Sequence, residues 1–205
     1  MTRRVNSYTR GMARWQADAG KRLERAALEL FVEQGFAETT VPQITARAGL
    51  STRTFFRHFA DKREVLFARE GEVPVLVEQM LAQAQATLSP MVIASGLHAF
   101  AQAVFEGRLE ELRMRRTVIQ ADSGLREREL RKLDSLVATI RHGLLQRGSD
   151  PLSAELSAHI AVTAFSVGLT RWLDQGGEHE RALAEIISET LGALRTVAAE
   201  IPDSS

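Results

Sequence analysis

Apolar residues recur at helical spacing along nearly the whole chain. Leu23, Ala26, Ala27, Leu30 and Phe31 stand three and four apart, with Glu24, Arg25, Glu29 and Glu33 on the other side, which predicts a helix from Asp18 with one buried stripe. Gly35 stops it as a left-handed cap, and Phe36 folds back on the last turn. Thr40 and Gln43 make a T-x-x-Q capping box for a second helix, with Pro42 tolerated in its first turn and Ile44 and Ala48 facing inward. Gly49 supplies a tight turn, and Ser51 caps a third helix whose Phe55 and Phe59, four apart, point into a small core. Asp61 and Glu64 open a fourth helix, with Val65, Leu66 and Phe67 on its apolar side and a kink at Gly71 and Pro74.

The remainder reads as helix throughout, with no internal repeat and no convincing strand. Helices are predicted from Ser89-Pro90 to about Phe105, from Arg108 to Ala121, and from Leu125 to Arg147, where Gly148 stops the chain. Asp150-Pro151, a cap followed by proline, starts another that runs to about Gln175, and the last covers Glu178 to about Glu200. The fold class is therefore all-α with about nine helices. An N-terminal three-helix helix-turn-helix domain (18–64) follows a flexible basic arm (1–17) and joins a larger helical domain (65–205).

Charge changes this picture more than composition does. The 205 residues carry no net charge and no cysteine, so no disulfide framework and no thiolate metal site is available. Residues 1–70, however, hold 13 Lys/Arg against 8 Asp/Glu, and the rest 13 against 18. A basic N-terminal part on an acidic body points to a module for a polyanion. Arg3, Arg4, Arg10 and Arg14 put much of that charge in the arm, where a minor-groove or phosphate contact is one reading and an idle tail the other. The uncharged stretch from Gln79 to Phe105 is broken by Gln83, Gln85, Pro90, Gly96, His98 and Gln102, which favours buried helices over a membrane span. A cytoplasmic protein is expected.

A helix-turn-helix places its second helix in the DNA major groove. Thr40, Arg47, His58 and Lys62 are the candidates for positioning contacts to phosphates. Arg53 is the best base reader, since a guanidinium can bind guanine O6 and N7 together. Thr52 and Thr54 can hydrogen-bond or touch a thymine methyl, Arg57 can serve either purpose, and Ser51 and Gln43 stand at the starts of the two helices. One such head makes too few contacts for tight specific binding, so a twofold dimer is expected. The last two helices are too apolar for a single inward face. Ala161, Ala164, Phe165, Gly168, Trp172, Ile187, Leu191 and Leu194 are the expected interface. Polar residues on otherwise apolar helices, namely His98, Gln102, Thr117, Gln120, Thr163 and Ser166, are the candidates for contact with a small molecule.

The stretch from Leu23 to Leu66, with its "AALELFVEQGF" helix, its "TARAGLSTRTFFRHF" turn and reader and the Asp61-Lys62 start of the next helix, resembles the DNA-binding domain of TetR-family transcriptional regulators. The resemblance implies an all-helical homodimer joined through a four-helix interface, and a variable C-terminal domain that usually binds a small-molecule effector. It also implies backbone contacts from Thr40, His58 and Lys62. The family's frequent Thr-Phe-Tyr pattern is broken here, because Phe56 stands where a tyrosine hydroxyl would meet a phosphate; only apolar packing on sugar or a thymine methyl is left to it. The expected function is a sequence-specific regulator of transcription. A repressor released from a palindromic operator by its effector is expected first, and an activator or architectural protein without effector control is the alternative. No enzyme motif and no need for a metal or cofactor is found.

Overall fold

The computed structural model describes residues 5–67, 72–83, Ile93, Gly96, 107–175 and 181–200, of which 5–17, 72, 73 and 83 are described by their backbone. Among these the chain forms eight α-helices, one 3-10 turn and no strand. The helices are α1 (Val5–Gln34), α2 (Val41–Ala48), α3 (Thr52–His58), α4 (Glu72–Gln83), α5 (Leu109–Ala121), α6 (Ser123–Gln146), α7 (Pro151–Leu173) and α8 (Leu183–Ala199), with the 3-10 turn at Glu64–Phe67. The chain divides into two compact units. One holds Met1–Arg69 and Arg113–Arg126, the other Glu70–Leu112 and Glu127–Ser205.

The first unit is built on the stripe that the sequence predicts. Leu23, Ala26, Ala27, Leu30 and Phe31 of α1 are all buried, and they meet Ile44 and Ala48 of α2 and Phe55 and Phe59 around α3. Phe55 is wholly buried and its ring lies 5.5 Å from that of Phe59. Enclosing one such side chain stabilises the unit by about 1.5–3 kcal/mol. Three features depart from expectation. Residues 5–17, expected as an arm, are helical: α1 begins at Val5. That segment lacks an apolar stripe and includes the weak helix formers Asn6, Ser7, Thr9 and Gly11, so its helix is an extension of the one nucleated on the core further along α1. Asp61 does cap, its Oδ1 accepting from the Arg63 and Glu64 amides at 2.7 and 3.0 Å, but what it caps is the 3-10 turn. α4 starts only at Glu72 and has Pro74 in its first turn, where the missing amide costs nothing; Gly71 lies outside the described residues. Lastly, the unit does not end at residue 64. Val65, Leu66 and Phe67 complete its core, and Val118, Ile119 and Leu125 from the far segment join them.

The core of the second unit gathers Val77 and Leu81, Leu136, Ile140 and Leu144, and the small and large residues of α7 and α8. Asp150 caps α7, its carboxylate accepting from the Ser153 amide at 2.9 Å, with Pro151 at the first helical position. α7 and α8 approach so closely that a Cβ on Gly168 would stand 2.7 Å from Ile187 Cγ1 and 3.3 Å from its Cα. Only glycine fits that crossing. α8 begins at Leu183, later than expected, because its N-cap is Ala182. The helix expected from Ser89-Pro90 lies outside the described residues apart from Ile93 and Gly96.

Candidate nucleic-acid interface

The turn between α2 and α3 is fixed from several sides. Gly49 adopts φ 62°, and its amide and that of Leu50 close the end of α2 on Ala46 and Thr45 carbonyls. The Arg22 guanidinium of α1 reaches the Ala48 carbonyl and packs where a Gly49 side chain would begin. No spacing in the sequence marks Arg22 for this, since its partner is 26 residues away. Ser51 caps α3, accepting from the Thr54 amide at 3.1 Å, and its hydroxyl is 2.9 Å from that of Thr54.

The face of α3 that is left exposed carries Thr52, Arg53, Phe56 and Arg57. Arg53 and Thr52 have no hydrogen-bond partner among the described residues, so their polar groups are available to base edges. Phe56 is 56% exposed, a high value for an aromatic ring on a small domain, and it stands edge-on to Phe55. Thr54 is half-buried and shares its hydroxyl with Ser51, so it is less available than Thr52 and Arg53.

At the start of α2 the capping box is complete. Gln43 Oε1 accepts from the Thr40 amide at 2.8 Å and from its hydroxyl at 2.9 Å, while Thr40 Oγ1 accepts from the Gln43 amide. Gln34 adds a third donor to the same Gln43 oxygen at 3.2 Å. The box leaves Thr40 exposed at a helix N-terminus, a place that favours a phosphate. It also turns Gln43 into a structural group.

Of the other three phosphate candidates, Arg47 and Lys62 are engaged within the chain and His58 is half-buried. Arg47 makes a two-pronged contact with Glu33 at 2.6 and 2.7 Å, and Glu29 lies 4.0 Å off. These hydrogen bonds hold the Glu33 carboxyl below its usual range and raise Arg47 above its own. Lys62 donates to three backbone carbonyls of the α1–α2 connection. His58 is half-buried beside Gly20, with Nε2 enclosed and without a partner, and burial followed by the Arg57 charge pushes its pKa down. At rest, then, Arg47 and Lys62 are hydrogen-bonded within the chain, and His58 is half-buried.

The effector candidates are not brought together. His98 and Gln102 lie outside the described residues. Thr117 and Gln120 are exposed and belong to the first unit, and the Thr117 hydroxyl bonds back to the Arg113 carbonyl. Thr163 is exposed on α7, whereas the hydroxyl of half-buried Ser166 is enclosed and without a partner.

The expected interface is likewise redistributed. Ala161, Ala164, Phe165, Gly168, Trp172, Ile187 and Leu191 are buried in the core of their own chain, and Leu194 packs against it. A helix apolar on most sides hides from sequence which side its own fold takes. What α7 leaves outside is Leu152, Leu156, Ile160 and Val167, a single helical stripe, with Val197 exposed on α8. α7 is also long and apolar enough to cross a bilayer, but nine of its residues pack inside the unit.

Residues 24–68 match the family described as "Bacterial regulatory proteins, tetR family". Over 184 residues the chain is 29% identical to the HTH-type transcriptional regulator TcmR of Streptomyces glaucescens, covering 84% of this chain and 81% of that one. Its fold is similar to that of SmeT of Stenotrophomonas maltophilia, solved as a triclosan complex (TM-score 0.57, 21% identity, 91% and 93% of the two chains). It is similar also to FadR of Bacillus subtilis, solved with stearoyl-CoA (TM-score 0.57, 17% identity, 85% and 96%).

Proposed function

We propose that the chain, whose residues 24–68 match the TetR-family model, is a TetR-family transcriptional regulator and a repressor which a small molecule releases from a palindromic operator. The observation that carries the DNA side is the exposed face of α3, with Arg53 and Thr52 uncommitted and Phe56 beside them. Arg53 reads a guanine, Thr52 and Phe56 touch neighbouring thymine methyls or sugars, and the capped start of α2 meets a phosphate through Thr40. Arg57 lies on the same face. In this reading the first compact unit carries the DNA reader, and the second carries the effector and dimer functions. It works in the cytoplasm, where its DNA is.

Two copies meet through the exposed stripe of Leu152, Leu156, Ile160 and Val167 with Val197, in place of the buried residues that the sequence suggests. Such a stripe on a long helix is what a four-helix contact between copies requires. The enclosed Ser166 hydroxyl supports a polar anchor for an effector in the second unit. That SmeT and FadR were solved with small molecules supports the class of control, not the ligand. The effector acts by binding the two arrangements of the paired heads unequally.

Selection of bound fragments from genomic DNA tests the reading, followed by affinity measurement with Arg53→Ala. The substitution is expected to cost about 1–3 kcal/mol on the selected fragment and to relax the sequence preference at one base pair. Equal weakening on all DNA would remove Arg53 from the reading role.

A further inference from the structure

The three N–H donors of the Lys62 ammonium go to the carbonyls of Phe36, Ala37 and Thr39 at 2.7, 3.0 and 2.9 Å. Its Nζ also stands 4.5 Å from the centroid of the Phe36 ring. An ammonium has three donors and no acceptor, so these carbonyls exhaust its hydrogen-bonding capacity. The carbonyls belong to the connection between α1 and α2, just past the negative end of the α1 dipole, where a cation is favoured. The turn that carries Lys62 is itself fixed, because Asp61 accepts from the next two amides.

The connection is held independently by Gln34, whose Nε2 reaches the Glu38 carbonyl, the Thr39 hydroxyl and Gln43 Oε1 at 3.2–3.3 Å. Thr39, only 1% exposed, bonds in turn to the Gly35 carbonyl at 2.8 Å. A continuous set of hydrogen bonds therefore runs from the Asp61 turn through Lys62, the connection and Gln34 to the box formed by Thr40 and Gln43. A phosphate could draw Lys62 away only by depriving three carbonyls of a charged donor.

We infer that Lys62 is a positioning residue for DNA binding. By gathering the Phe36, Ala37 and Thr39 carbonyls around one ammonium, it sets the N-terminus of α2 where Thr40 meets the DNA backbone. The inference rests on the DNA-binding reading above and replaces the direct phosphate contact that the sequence suggests for this lysine.

Lys62→Met keeps the apolar stem and removes the donors. The full-length protein is compared with the variant at a temperature where both show the same helical circular dichroism. Amide exchange is expected to quicken across residues 36–44 and to stay unchanged in α7 and α8. Affinity for the selected operator fragment is expected to fall about tenfold, in line with loss of charge-assisted hydrogen bonds. The slope of log affinity against log salt is expected to stay the same. A slope reduced by about one with unchanged exchange would make Lys62 a phosphate ligand and overturn the inference. Unchanged affinity with only a lower melting temperature would overturn it too, leaving a stabilising residue and no positioning.

Thr39→Val loosens the same connection without touching a charge. It is expected to reproduce the exchange and affinity changes, and it carries the test if Lys62→Met does not fold. Failure of the unsubstituted protein to select any DNA would overturn the DNA reading and this role with it. The exchange data would still show whether the ammonium fixes the connection.

Discussion

α2 and α3 have 8 and 7 residues, and side chains close both of their N-termini. α7 and α8 have 23 and 17 residues, and the N-cap of α8, Ala182, offers no side-chain cap at all. Helices as short as α2 and α3 cannot hold themselves in water, because nucleation outweighs the few hydrogen bonds gained. They depend on caps, on the Gly49 turn, on Arg22 at the Ala48 carbonyl and on one aromatic cluster. The long pair depends instead on area and on closeness of approach at Gly168. Polar detail fixes the reader, while shape fixes the other pair.

Replacing Phe55 with Ala should remove the heart of the reader and cost about 3–5 kcal/mol, measured as a shift in the denaturant midpoint. A much smaller loss would mean that caps, not the aromatic cluster, hold α3. Gly168→Val should cost about 1–3 kcal/mol, because Ile187 meets the new side chain with its backbone as well as the base of its own side chain. Little change would show that α7 and α8 can slide apart cheaply. The caps allow a paired experiment: Ser51→Ala should destabilise by about 1 kcal/mol, whereas Ala182→Ser should stabilise by a similar or smaller amount, since Ala182 is already extended at φ −62° and ψ 139°. Equal responses in sign would erase the contrast between the two regions.

The smallest effect concerns pH. Burial and the Arg57 charge depress the His58 pKa in the folded protein, so the unfolded chain binds the proton more readily. Stability is therefore complete above the unfolded value of about 6.5 and declines as pH falls toward the folded one. Unfolding of wild type and His58→Asn at pH 7.5 and 5.5 should show a pH-dependent difference between them; parallel curves would remove His58 from this role.

This contrast also explains what could be read from sequence. Caps and glycine stops are local, so Thr40 with Gln43, Ser51, Gly35 and Gly49 were legible, as was the inward turn of Phe55 and Phe59. Lys62, Arg22 and Arg47 were not, because what each touches lies 14 to 26 residues away and any cation beside a reader resembles a phosphate ligand. α7 failed differently. Its apolar residues surround most of the helix, and nothing in their spacing separates the side against α8 from the stripe at Leu152, Leu156 and Ile160. The segment from Arg113 to Arg126 joined the reader's unit through contacts across half the chain, which no local pattern announces.

The shared oxygen of Gln43 sets terms for anyone who would redirect this protein to another DNA sequence. Three donors converge on it, from the Thr40 amide, the Thr40 hydroxyl and Gln34. Recoding Gln43, or Ser51 with Thr54, would disturb the frame along with the message. Thr52, Arg53 and Phe56 carry no such duty. A library confined to those three positions would keep the scaffold intact while sampling new readers, and most of its members should still fold.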